Sequence, residues 1–90
     1  MRAIISVLGQ DKPGIIAHVS AVLYECNVNI LDMDQTVMRD EIFVMTMLVD
    51  LDGMTKAFSE LQEKLDSVSA QIGMQVKLQR EELFNSMHKV

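Results

Sequence analysis

Two kinds of apolar rhythm alternate along this chain, and their order constrains the fold more than any other feature. Ala3 to Leu8 is a short unbroken apolar run, which reads as a strand buried on both faces. Ile15, Ile16, Val19, Val22, Leu23 and Cys26 then recur at three- and four-residue spacing, one stripe of an amphipathic helix. From Ile30 to Met38 the period drops to two. Leu31, Met33 and Val37 fall on one side and Asp32, Asp34 and Thr36 on the other, as in a half-exposed strand. Ile42 to Leu51 is apolar on both faces, with Thr46 as the exception before Asp50. Met54, Ala57, Phe58, Leu61, Leu65, Val68 and Ile72 make a second helical stripe. Met74, Val76 and Leu78 alternate with Gln75, Lys77 and Gln79, giving a second half-exposed strand. Leu83, Phe84 and Met87 suggest a short amphipathic helix at the end.

The order is β-α-β-β-α-β followed by a tail helix. Runs one and three need a neighbour on each side, whereas two and four tolerate water. A four-stranded antiparallel sheet of order 4-1-3-2 satisfies this, with one and three central and two and four at the edges. The right-handed crossover rule then puts both helices on one face. The reading is therefore α+β, a ferredoxin-like βαββαβ sandwich over residues 1–80, with residues 81–90 as a helical tail. It leaves the central strands with apolar side chains on the face that the helices do not cover. A second copy of the chain is the simplest cover.

Composition removes several functional classes. With 90 residues the chain makes one domain, and at 49% hydrophobic it is not a disordered tail. Eight basic against thirteen acidic residues give a net charge of −5, which argues against a grip on nucleic-acid phosphates. RNA recognition on an open sheet also needs aromatic platforms, and the central strands offer only Phe43. No apolar run approaches the ~18 residues of a membrane span. The start, Met1-Arg2-Ala3-Ile4-Ile5, does not read as a signal peptide. A single cysteine, Cys26, excludes an internal disulfide framework and fits a reducing cytoplasm.

Gly9-Gln10-Asp11-Lys12-Pro13-Gly14-Ile15-Ile16 joins a central strand to the first helix. Asp11 can cap the helix, Pro13 suits its first turn, and Gly14 lets a ligand or backbone approach closely. The free N–H groups of a helix start suit a carboxylate, although many such turns bind nothing. The five-residue spacing of Gly9 and Gly14 mimics a phosphate loop. Ile15-Ile16 stand where Lys and Ser or Thr would be required, which excludes nucleotide hydrolysis by that device.

Strand, Asp11-Lys12-Pro13-Gly14-Ile15-Ile16-Ala17, amphipathic helix, then Asn27-Val28-Asn29-Ile30-Leu31-Asp32 and a strand with Gln35-Thr36 resembles an ACT domain. It looks closest to the small standalone ACT-domain proteins, and is similar to the ACT domains of glycine-cleavage repressors and formyltetrahydrofolate hydrolases. The resemblance covers residues 1 to about 80. It implies a regulatory module that binds amino acids or other small metabolites where two such units meet. The family's ligand-contacting loop falls on Gln10, Asp11, Lys12, Pro13, Gly14 and Ile15, and its asparagine-containing segment on Asn27, Asn29 and Ile30. With no catalytic or DNA-binding domain in these residues, the signal would pass to a separate protein partner. No cofactor and no metal is implied.

Asn27 and Asn29 have two readings. Asn ends helices well because it tolerates a left-handed backbone, and its amide can also recognise α-amino and α-carboxyl groups. Ala17, Ala21 and Tyr24 lie opposite the apolar stripe of the first helix. They suggest a homodimer in which first helices pack together and second strands pair at their edges. Asp32 and Asp34 sit on that edge strand and would approach their symmetry mates, a charge placement that often blocks edge pairing. His18, one turn into the helix, could reach a ligand carboxylate. Cys26 reads as inert core, and neither histidine, His18 or His88, shares a metal-ligand spacing with it. No residue grouping reads as a catalytic triad, so the chain reads as a regulatory module rather than an enzyme. Two functions stay open: a homodimeric amino-acid sensor, and a ligand-free dimerisation or interaction module of the same fold.

Overall fold

Strand β1 (Arg2–Gln10) lies at the centre of the sheet because both of its edges are occupied. It pairs antiparallel with β3 (Ile42–Asp50) on one side and with β4 (Gln75–Arg80) on the other. Strand β2 (Asn29–Val37) pairs only with β3, giving the order β2-β3-β1-β4, the expected 4-1-3-2 arrangement. Helix α1 (Ile15–Glu25) crosses from β1 to β2 and α2 (Phe58–Ile72) from β3 to β4. A short α3 (Glu81–Met87) follows directly on β4. The computed structural model describes residues 1–87, with side chains through residue 85. His88 and the side chain of Met87 lie outside the described residues.

One periodicity builds the core from each side. Ala3, Ile5 and Val7 of β1, Phe43, Met45, Met47 and Val49 of β3, and Val76 and Leu78 of β4 point to one face. Ile15, Val19, Val22 and Leu23 of α1, Cys26 at its C-cap, and Leu61, Leu65, Val68 and Ile72 of α2 close over them. Each fully buried aliphatic side chain contributes about 1.5–3 kcal/mol, so this single layer carries most of the fold's stability. Gly9 falls in the same row as Phe43, and an added Cβ there would lie 2.9 Å from Met74 Cγ. Gly9 therefore gives Met74 its place in the core.

Two features differ from the sequence reading. The first strand is not buried on both faces along its length. On the face away from α1 and α2, Ile4 is 8% exposed but Leu8 is 44% exposed. The second difference concerns β2, which is exposed on both faces rather than half-buried. By register, Met33, Gln35 and Val37 share the helix side with Met47, Met45 and Phe43, and Asp32, Asp34 and Thr36 share the open side. The alternation is real, but the helices stop short of this edge, and Val37 remains 51% exposed on the side they cover elsewhere. A bulge between Ile30 and Asp32 shifts the register at the start of the strand.

Candidate functional site

Three ties hold the β1–α1 loop. The Asp11 N–H donates to the Glu41 carbonyl at 2.8 Å, which fixes the loop against the β2–β3 hairpin. The Lys12 ammonium donates to the Ile72 carbonyl at 2.5 Å, at the C-terminus of α2. A cation there satisfies one of the unpaired carbonyls and faces the negative end of the helix dipole. His18 Nδ1 lies 2.7 Å from the Gly14 carbonyl, which closes the loop onto the first turn of α1.

The helix start differs from the expectation that Asp11 caps it. Gly14 is the N-cap, with φ 88° and no side-chain cap bond. Only the last residue before the helix can cap it, and the turn through Pro13 leaves Asp11 three residues upstream. The positive φ is the physical reason that position 14 is glycine.

Beside this loop runs a cleft of about 410 Å³. Asp11, Lys12, Gly14, Ile15, Ile16 and Ala17 form one wall, and Gln35, Val37 and Phe43 form the other. One wall thus offers the polar start of α1, and the other offers one amide between two apolar side chains. Of the expected ligand residues, Asp11, Lys12, Gly14 and Ile15 lie on this cleft. Pro13 sits exposed in the turn, and Gln10 ends β1 opposite Ile42.

Asn27, Asn29 and Ile30 lie at the far end of α1, ~16 Å away along an eleven-residue helix. Asn27 has φ 58°. The N–H of Asn27 bonds the Tyr24 carbonyl at 3.1 Å and that of Val28 bonds the Leu23 carbonyl at 2.9 Å, a Schellman termination. The Asn27 amide also donates to the Gly53 carbonyl at 2.7 Å. Asn29 and Ile30 open β2 opposite Asp50 and Val49. Within one chain the two expected ligand segments are therefore apart.

The family model of the ACT domain matches residues 2–79. The chain belongs to the ACT domain family. A UPF0237 protein of Clostridium acetobutylicum is 47% identical over 90 residues, covering 100% of both chains. An ACT domain protein from Streptococcus pneumoniae superposes with a TM-score of 0.79 at 36% identity, covering 93% of each chain. The regulatory subunit of aspartate kinase from Thermus thermophilus, in its ligand-free form, gives a TM-score of 0.67 at 29% identity. There the match covers 87% of this chain and 50% of that one. A formyltetrahydrofolate deformylase of Pseudomonas syringae shares the fold at 20% identity.

ACT domains are small-molecule-binding regulatory modules, and the rest of this ACT domain shows how few of its groups are chemically poised. The Cys26 thiol is buried, and burial pushes its pKa up, with Glu25 and Glu60 adding to the rise and Lys64 and Lys56 opposing it. A thiol held protonated is a poor nucleophile. Among the described residues no group of three or more His, Cys, Asp or Glu side chains is placed to hold a metal ion. No helix among them is long and apolar enough to cross a membrane. Ala17, Ala21 and Tyr24 follow one another along the exposed side of α1, and Tyr24 is 87% exposed.

Sequence reasoning missed Gln35, Val37 and Phe43 as walls of the cleft. They come from β2 and β3 and reach the loop only through sheet register. Gln35 had one local signal, a lone amide on the side of β2 otherwise occupied by Met33 and Val37. The engagement of Lys12 with Ile72 had none.

Proposed function

We propose that this ACT domain works in the cytoplasm as a homodimeric sensor of a small amino acid and regulates a separate protein without catalysis of its own. The cleft between the α1 start and β2 carries this reading. Its α1 wall suits a carboxylate, because the first-turn N–H groups are unpaired and the helix dipole favours negative charge there. The Gln35 amide supplies a donor and an acceptor for an ammonium and a carboxylate, and Val37 and Phe43 supply an apolar seat.

The separation of the two ligand segments supports the dimer. Two α1 helices packed antiparallel about a two-fold axis would carry the Gln10–Ile15 loop of one chain towards the partner's Asn27–Ile30. Ala17, Ala21 and Tyr24 lie on the side of α1 that such packing would use.

Calorimetry of the wild type and of Gln35→Ala against the common amino acids tests the proposal. Saturable heat with one class of amino acid, weakened at least tenfold in the variant, is expected. A second reading, a ligand-free interaction module, draws on Lys12 and Asn27. Both are already bonded internally, to the carbonyls of Ile72 and Gly53. A folded dimer that gives no heat with any amino acid would favour this second reading.

A further inference from the structure

The face of the sheet away from α1 and α2 is covered at one end only. On that face Leu8 lies beside Val44 and Ile4 beside Leu48, with the smaller Ser6 and Thr46 between the two apolar pairs. Helix α3 packs against β1 and β4, and Arg2, on the open side of β1, donates to the Glu81 carboxylate at 2.8 Å. Ile4, at this end, is 8% exposed, whereas Leu8 is 44% exposed and Leu83 of α3 itself 53%. The β2 edge of the face is acidic, with Asp32 opposite Leu48 and Asp34 opposite Thr46. This layout selects what can cover the rest. Two sheets pack face to face ~10 Å apart, and a helix is about as thick. Helix α3 therefore already occupies the layer that a second sheet would need, while a single helix can lie beside it.

We propose that the open face binds one amphipathic helix of a separate protein, its apolar stripe on Leu8, Val44 and Leu48 and a basic flank along Asp32 and Asp34. The inference rests on the reading that this domain regulates a separate protein, and on nothing about its ligand. From Ile42 to Leu48 the strand β3 runs ~20 Å, the length of a helix of ~14 residues. Asp32 and Asp34, alternate residues of a strand, stand ~7 Å apart, close to the ~6 Å between helix residues four apart. Basic residues at that spacing would meet both carboxylates. The Asp32 carboxylate is held in place by the Met33 N–H at 2.9 Å. Asp32, Met33, Asp34, Thr46 and Leu48 line a hollow of about 250 Å³. Its apolar groups suit the aliphatic stem of a lysine or arginine, and its carboxylates suit the charged head. An acidic helix would meet like charge along the same edge.

Calorimetry with a pair of synthetic peptides tests this. Both carry leucine at helical spacing on one side; the rest is lysine in one and glutamate in the other. The leucine–lysine peptide is expected to bind, and the leucine–glutamate peptide to bind about tenfold more weakly or not at all. Leu8→Lys, at an exposed position, is expected to weaken the lysine peptide about tenfold. Asp32→Asn and Asp34→Asn together are expected to weaken it several-fold and to flatten its salt dependence. Circular dichroism checks that each variant is folded. Equal binding of both peptides, or equal binding of the lysine peptide to wild type and Leu8→Lys, overturns the surface. Sedimentation in which Leu8→Lys splits a dimer would place a second copy on this face and overturn it as well. A chain that gives heat with an amino acid but none with either peptide refutes the docking surface and leaves the sensor standing.

Discussion

The Lys12 ammonium lies 2.5 Å from the Ile72 carbonyl, across sixty residues of sequence, and so joins the start of α1 to the end of α2. The two ends belong to different crossovers of the fold. Gly73, next in the chain, has φ 66° and terminates α2, and an added Cβ on it would lie 3.6 Å from the same ammonium. The contact orders the loop that walls the cleft and caps a helix at once.

Lys12→Met keeps the aliphatic stem and removes the donor. The Ile72 carbonyl then loses its partner, and the loss is expected to cost about 1 kcal/mol. For a domain of this size that corresponds to a fall of roughly 4–8 °C in Tm. Thermal unfolding followed by circular dichroism measures it. A Tm equal to the wild type would mean that the bond contributes nothing to the fold.

This contact marks the limit of what local sequence can carry. Element order, sheet order and most of the core were legible, because the periods of 3.6 and 2 record which side of each element is covered. The alternation of Met33 and Val37 with Asp32 and Asp34 identified the two sides of β2 correctly, yet both are exposed. Whether a helix reaches an edge strand depends on where α1 and α2 settle, and no local pattern encodes that. The loop was legible through Gly14, but its cap was misread, since Asp11 has the right chemistry three residues too early. The opposite wall of the cleft, from Gln35 and Val37 to Phe43, is a product of register between strands.

Gly9 makes a sharper test of packing. Gly9→Ala brings a Cβ to 2.9 Å from Met74 Cγ and 3.1 Å from Met74 Cε. Met74 is buried and cannot swing into solvent without leaving the core. The expected cost is about 1–3 kcal/mol, the usual range for overpacking. Shortening the neighbour should relieve it. Urea unfolding of Gly9→Ala, Met74→Val and the double variant is expected to show the double variant losing clearly less than the sum of the singles. Strict additivity would refute the contact as the reason for glycine.

Asn27 separates backbone from side-chain effects. Asn27→Gly keeps the left-handed termination of α1 and loses only the bond to the Gly53 carbonyl, so it is expected to cost about 0.5–1.5 kcal/mol. Asn27→Ala loses that bond and also places an ordinary Cβ at φ 58°, which adds about 1 kcal/mol. Denaturant unfolding of both variants is expected to rank wild type above Gly and Gly above Ala. An alanine variant as stable as the glycine one would show that the positive φ is not what selects this residue.

Cys26 gives the chain a stability that fades in alkali. Burial is the main cause of its raised pKa. Well below the thiol's ordinary value of ~8.5, folded and unfolded chains both hold the proton, and the group contributes no pH dependence. Above that value the unfolded chain ionises first. It then binds fewer protons than the folded chain, so stability falls as pH rises, by up to about 1.4 kcal/mol per unit until the folded thiol also ionises. Other groups titrate in the same range, and Cys26→Ala removes their share by subtraction. The variant leaves a small void and is expected to be the less stable protein near neutral pH. Urea unfolding of both proteins from about pH 7 to about pH 10 is expected to show the wild-type advantage shrinking steadily. An advantage that stays constant, or grows, would mean that the thiol ionises as readily in the core as in water.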